Sequence, residues 1–278
     1  MRLNNFQFKY FLLFILFFAA TLKMNAQKKP DDYNTHWKKI EEFKKKGLPK
    51  SALAEIDIVY KKAKKSSNNP QIIKALLFRI PLQQNLEEEA NEKSISDLES
   101  EIQTQKGVAK AILQSISAQM YWNYFQANRY KLYSRTNTEN FDKKDIATWT
   151  IDDFHQKISE LYEASIKDET LLKKTSLQSY EPIIQKGNSR QLRPTLFDLL
   201  AHRALEYFKN DERDITRPAY AFEIDDLKMF APANEFVNHS FKTKDSTSLH
   251  FKALTIFKKL VNFHLKDSKP DALIDADI

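Results

Sequence analysis

From Asn34 onward, apolar residues recur every three or four positions in runs long enough for helices rather than strands. Trp37, Ile40 and Phe43 share one helical face, and Gly47-Leu48-Pro49 then turns the chain. A second helix is expected over about Ser51 to Lys65, with Ile56, Tyr60 and Ala63 on its inner face. Asn68-Asn69-Pro70 ends it and opens another, because proline suits the first helical turn. Ile72, Ile73, Leu76, Leu77 and Ile80 form the stripe of this third helix, which Pro81 should kink or split. A polar helix follows from about Glu87 to Lys106, with Ile95, Leu98 and Ile102 facing inward. After Gly107 a long helix runs from about Val108 to Tyr133, carrying Ile112, Leu113, Ile116, Met120 and an aromatic cluster of Tyr121, Trp122, Tyr124 and Phe125.

Ser134 to Trp149 reads as a connecting loop. Thr150 with Asp153 three residues later is a capping-box pattern, opening a helix through about Lys167. Asp168 to Arg193 is less regular. Thr195 to Asn210 carries a clean stripe of Leu196, Leu199, Leu200, Ala204 and Phe208. Asn210 to Thr247 is mostly irregular, and Ser248 to Lys266 reads as a helix with Leu249, Leu254, Phe257, Leu260 and Val261 apolar. Pro270-Asp271 begins a further amphipathic run.

The fold class expected is all-α, with stacked helical hairpins of tetratricopeptide-like or irregular α-solenoid kind. Pro70 lies 33 positions after Trp37, which approximates a helical-pair repeat of ~34 residues, although later pairs do not keep that period. The expected organisation is a cleavable signal peptide over 1–26, a short linker over 27–33, a helical-hairpin array over 34–135, a loop over 136–149 and a second helical part over 150–278. A chain ending on a newly started helix reads as truncated at its C-terminus. Truncation would leave Phe257, Leu260 and Val261 as an exposed apolar patch.

The front end sets the compartment. Arg2 and Lys9 precede an apolar run of 13 residues from Tyr10 to Leu22, and Asn25-Ala26 supplies small residues before Gln27. A bilayer-spanning helix needs ~20 apolar residues, so a cleaved signal is favoured over an anchor. No later stretch is apolar enough to span a membrane, and the product is expected to be periplasmic or secreted. An exported chain with 0 cysteines has no disulfide staple and no thiolate metal ligand, and it holds together by core burial.

Charge and glycine content narrow the chemistry. The formal net charge is +7, but cleavage after Ala26 removes three basic residues and leaves +4. Glu41 and Glu42 interrupt the basic runs around Lys38-Lys39 and Lys44-Lys45-Lys46, which is the pattern of a solvated helix face and not of a nucleic-acid surface. Only 3 glycines occur, against an average near ~7% of residues, so no phosphate-cradling loop, dinucleotide fingerprint or nucleophile elbow is present. None of the six histidines (His36, His155, His202, His239, His250, His264) stands at metal-ligand spacing to another. Asp152-Asp153 and Asp225-Asp226 fall at expected helix starts, where the helix dipole accounts for them. Asn238-His239-Ser240 matches a glycosylation triplet that is common by chance. No catalytic, cofactor-binding or metal-ligating residue is assigned, and no cofactor is expected. The aromatic stretch from Tyr121 to Tyr133 reads mainly as core. Tyr130 and Tyr133 are its exposed members and the candidate surface for a protein partner.

Four stretches, taken in order, resemble a known family. They are Gly47 to Lys65 (GLPKSALAEIDIVYKKAKK), Gln119 to Arg135 (QMYWNYFQANRYKLYSR), Leu192 to Phe208 (LRPTLFDLLAHRALEYF) and Asp271 to Asp277 (DALIDAD). Together they look like the N-terminal helical region of large bacterial alpha-2-macroglobulin-like proteins, from about Asp32 to the last residue. The resemblance implies a scaffold or docking role in an exported protease-trapping protein, with the downstream domains of the same polypeptide or another protein as partner. Such proteins offer a bait segment to a protease, and many tether it through a Cys-Glu-Gln thioester. This chain has no cysteine, and it lacks the bait segment and the β-sandwich domains, so none of the family's working residues maps onto it. The alternative is a self-standing periplasmic helical-repeat adaptor that binds a protein partner.

Overall fold

The computed structural model describes residues 33–86, 90–133, 145–185, 187–212 and 218–277, and the signal segment expected over 1–26 lies outside them. Among the described residues the protein is all-helical, with one isolated β-bridge between Ser176 and Thr195. Helix α1 is Tyr33–Lys45, α2 is Pro49–Lys65, α3 is Asn69–Gln84, α4 is Ala90–Thr104 and α5 is Gly107–Tyr133. Tyr33, assigned from the sequence to the linker, is already buried in α1.

The first two joints use one device. After α1, Gly47 adopts φ 66°, and the Leu48 N–H reaches back to the Phe43 carbonyl at 2.9 Å. After α2, Ser67 takes the same left-handed turn at φ 52°, and the Asn68 N–H bonds the Ala63 carbonyl at 2.9 Å. Proline then opens α2 at Pro49 and α3 at Pro70. The inner faces bury Trp37 and Ile40 of α1, Ile56, Val59 and Ala63 of α2, and Ile72, Ile73 and Leu76 of α3. Each large aliphatic side chain so buried stabilises the fold by about 1.5–3 kcal/mol relative to exposure. Trp37 also crosses to α3, donating from its indole N–H to Gln71 Oε1 at 2.7 Å.

Two expectations need correction. Pro81 does not split α3, which runs unbroken to Gln84. The proline sits in the last turn, so it forfeits one backbone bond near a helix end where the ladder is finishing. The apolar patch expected near the C-terminus is absent, because Leu260 and Val261 are buried and Phe257 is half-buried. Helix α10 (Leu249–His264) packs this face against α8 (Leu196–Phe208) and against α11 (Asp271–Asp277).

Between α5 and α8 lie a 3-10 turn at Ile146–Thr148, α6 (Ile151–Ser165), the short α7 (Glu169–Lys174) and 3-10 segments at Leu177–Ile183 and Arg190–Leu192. Thr150 closes the expected capping box with Asp153, and Thr195 with Asp198 forms a second. Helix α6 runs along α5, and α8 wedges against both. The wedge is aromatic. The ring of Phe125 meets Phe154 and His155, Trp122 meets Tyr207 edge-on at 5.2 Å, and Tyr162 stacks on Tyr207 at 5.5 Å. The aromatic run on α5 is therefore core, as its spacing suggests, with Tyr121, Tyr124 and Phe125 buried. Beyond α8 come a 3-10 turn at Leu227–Phe230 and α9 (Ala233–Phe236). No helix of the described residues is long and apolar enough to cross a membrane.

Candidate functional site

Where α3, α5 and α8 converge, the 177–185 segment does not seal the gap, and an open cleft of about 520 Å³ remains. Its floor is the buried Ile112, Tyr180, Leu196 and Leu200. Its walls are half-buried apolar side chains: Leu77 and Ile80 from α3, Ile116 and Met120 from α5, Ile183 and Ile184 from the 3-10 segment, and Leu199 from α8. The irregular backbone over 177–185, with Pro182 inside it, explains the opening. A helix there would bring a continuous ridge of side chains against α3, whereas the 3-10 turns leave the walls standing apart.

The polar groups of the cleft come mainly from α5 and α8, with Gln185 of the 177–185 segment beside them. Ser115, Gln119 and Asn123 stand four residues apart and form a polar stripe along an otherwise apolar helix. Gln119 donates from Nε2 to Asn123 Oδ1 at 2.9 Å, and its Oε1 accepts from the Tyr162 hydroxyl at 3.3 Å. Arg203 reaches in from α8, donating through Nε to Ser115 Oγ at 2.9 Å and more weakly through its guanidinium to the Ser115 carbonyl at 3.5 Å. Burial pushes the Tyr162 hydroxyl up to about 12, an effect that the nearby Arg203 charge opposes. The cleft thus presents an apolar wall, the neutral amide pair of Gln119 and Asn123, the Gln185 amide and one half-buried cation.

A second polar constellation lies behind α8. Asp198 is completely buried; its Oδ2 closes the capping box with Thr195, and its Oδ1 meets His264 Nε2 of α10 at 2.7 Å. His264 Nδ1 meets Asp267 at 2.7 Å. Burial opposes protonation of His264, but the two carboxylates outweigh it and raise its pKa above the ordinary value. One turn along α8, His202 bonds the Asp198 carbonyl and lies 3.4 Å from Asp275 of α11, which also takes the Arg193 guanidinium at 2.9 Å. Burial, with help from Arg193, lowers the His202 pKa. This network ties α8, α10 and α11 together.

The remaining histidines are structural or peripheral. His155 is buried against the Tyr207 hydroxyl at 2.7 Å, and His36, His239 and His250 face Glu55, Asp226 and Asp211. Among the described residues no group of three or more histidine, aspartate or glutamate side chains is placed to hold a metal ion. Asp226 caps the 3-10 turn at Leu227–Phe230, and Asp152 lies in the first turn of α6, as the helix-start reading expects.

Tyr130 and Tyr133, singled out from the sequence, lie at the C-terminal end of α5, away from the cleft. Tyr130 is 83% exposed, with Arg129 over its ring, and Tyr133 is 36% exposed and donates to Glu212 at 3.1 Å. The cleft residues were not singled out. The available signal was the polar Ser115-Gln119-Asn123 stripe, which interrupts an apolar helix at four-residue spacing. No family model, curated protein or solved structure matches the chain.

Proposed function

We propose that this chain is a helical docking scaffold in an exported protein, in the manner of the N-terminal helical region of an alpha-2-macroglobulin-like protease inhibitor. The observation that carries the reading is how the stretches of the family resemblance lie in space. The described part of the Gln119 to Arg135 stretch, through Tyr133, lies on α5. Most of the Leu192 to Phe208 stretch is the facing α8 (Leu196–Phe208), whose Arg203 bonds Ser115 of α5 across the interface. Asp271 to Asp277 is α11, pinned to the Leu192 to Phe208 stretch through Asp275 and Arg193. Stretches far apart in sequence thus form one packed unit, which suits a scaffold whose face, and not a catalytic group, does the work. The chain itself supplies neither bait segment nor thioester.

A self-standing helical-repeat adaptor is the second reading. It is favoured by the way each helix from α1 to α5 packs on the next, with matched turns at Gly47 and Ser67 joining the first three. Intact mass and N-terminal sequencing of the native product in an exported fraction separate the two. A species beginning at Gln27 and far heavier than the 32.6 kDa of this chain supports the inhibitor scaffold. A stable species lighter than 32.6 kDa by only the signal segment supports the adaptor and rejects the inhibitor reading. Retention in the cytoplasm with Met1 intact rejects both.

A further inference from the structure

We propose that the cleft between α3, α5 and α8 is a binding site for an aliphatic monocarboxylate, its carboxylate on Arg203 and its chain along the apolar walls. The inference goes beyond the scaffold reading and does not depend on it.

The first observation is a charge without a counter-charge. Five arginines lie among the described residues, and four face a carboxylate: Arg79 meets Asp57, Arg129 meets Glu212, Arg190 meets Glu181 and Arg193 meets Asp275. Arg203 meets none among those residues. Its protein partner is the neutral Ser115, although it is half-buried beside apolar side chains, where an uncompensated charge is costly. Through Nε, Ser115 fixes the plane of the guanidinium and leaves terminal N–H donors without a matching acid. A rigid fork of that kind suits a planar carboxylate. The second observation is the amide next to it. With Oδ1 accepting from Gln119, Asn123 has its Nδ2 as the remaining polar group, a second donor lining the same cleft. Among the described residues no acidic side chain lines the cleft to repel an anion, and no lysine lines it to favour a phosphate dianion.

The third observation is the wall. Leu77, Ile80, Ile116, Met120, Ile183 and Leu199 keep part of their surface open to the cleft. Covering them with methylenes contributes about 0.8 kcal/mol per CH₂ buried. The volume of about 520 Å³ lies within the ~300–1,000 Å³ typical of small-molecule clefts, which are mostly apolar with a few placed polar groups. The cleft is bounded by three helices and the 177–185 segment, which fits a short flexible chain better than a bulky protein element.

The test uses the chain with [1-¹³C]dodecanoate below its micellar concentration, and with 1-dodecanol and dodecyltrimethylammonium as probes of matched chain length. Calorimetry should show one saturable dodecanoate site, with dodecanol weaker and the cation not bound. The bound ¹³C carboxyl should titrate below the free acid, because Arg203 favours its ionised form. Arg203→Gln should weaken dodecanoate roughly 10–100-fold and return the carboxyl titration to its free value, leaving dodecanol unchanged. Met120→Trp, at a half-exposed wall position, should weaken dodecanoate and dodecanol alike. Circular dichroism confirms that each variant is folded. Equal binding of all three probes, multiple weak sites, or undiminished dodecanoate affinity in folded Arg203→Gln overturns the proposal.

Discussion

The two ends of the molecule are held by different physics. From α1 to α4 each helix packs on the next through an apolar stripe, and the turns between the first three repeat a local backbone device. The polar links there join nearby helices, some at partly exposed edges, as with Arg79 and Asp57, and one at the buried Glu101, which meets the side chains of Tyr60 and Lys64. Around α8, α10 and α11, one helix meets a consecutive pair that lies well downstream of it, and a buried acid fixes the meeting of α8 with α10. Asp198 joins a helix cap on its own element to His264, 66 positions away. Local stacking tolerates substitution piece by piece, whereas a shared buried acid makes several contacts depend on one side chain.

The largest effect should follow from removing that acid. Asp198→Ala deletes the Thr195 capping box and leaves His264 with only Asp267. We expect a loss of about 3–5 kcal/mol in denaturant unfolding at pH 6, where His264 is charged. The loss should shrink at higher pH, where His264 can shed its proton instead. The matching cut in the first region is Glu101→Gln. Glu101 accepts from Tyr60, Lys64 and Gln105, and these bonds hold its carboxyl below the ordinary range although burial alone would raise it. We expect that substitution to cost about 1–3 kcal/mol, because each partner can turn to solvent. Equal losses in the two variants would erase the contrast.

A smaller effect is the pH profile. Since the folded state raises the His264 pKa, its contribution is fully present below ~6.5 and is lost as pH rises through the raised value. His202 has the opposite sign, so its penalty develops as pH falls below ~6.5. The charged groups around the pair are Asp198, Asp267, Asp275 and Arg193. Stability from this network should therefore peak near pH ~6.5, and His264→Gln should flatten the alkaline limb in urea titrations. Thr195→Ala should cost about 0.5–2 kcal/mol and exceed Thr150→Ala, because the Thr195 box shares its acid with His264. The smallest effect lies in the first region. Ser67→Gly should stabilise by roughly 0.5 kcal/mol, since glycine relieves a left-handed backbone at some cost in unfolded-state entropy.

What could be read from the sequence follows the same division. The helices from Trp37 to Tyr133 were legible because their stripes, prolines and turn residues are local signals. So was the Thr150-Asp153 box. The Thr195-Asp198 box has the same spacing, but the apolar stripe over Leu196 to Phe208 drew the reading to packing. Pro81 misled because its position relative to the end of α3 decides its cost, and that end is not sharply marked. Tyr130 and Tyr133 were legible as exposed. The cleft was not legible, since it depends on 3-10 turns over 177–183 standing off α3 and on a contact between Arg203 and Ser115 across 88 positions. The His264–Asp198 pair was hidden for the same reason, as neither residue lies in a local metal or catalytic pattern.

Amide hydrogen exchange at pH 6.5 and pH 8.5, corrected for intrinsic rates, tests this division most directly. The account predicts that protection in α8, α10 and α11 falls at the higher pH while α1 to α4 keep theirs. A uniform fall along the chain, or unchanged protection in α8 and α10, would contradict the claim that a buried acid–histidine pair holds that end of the molecule.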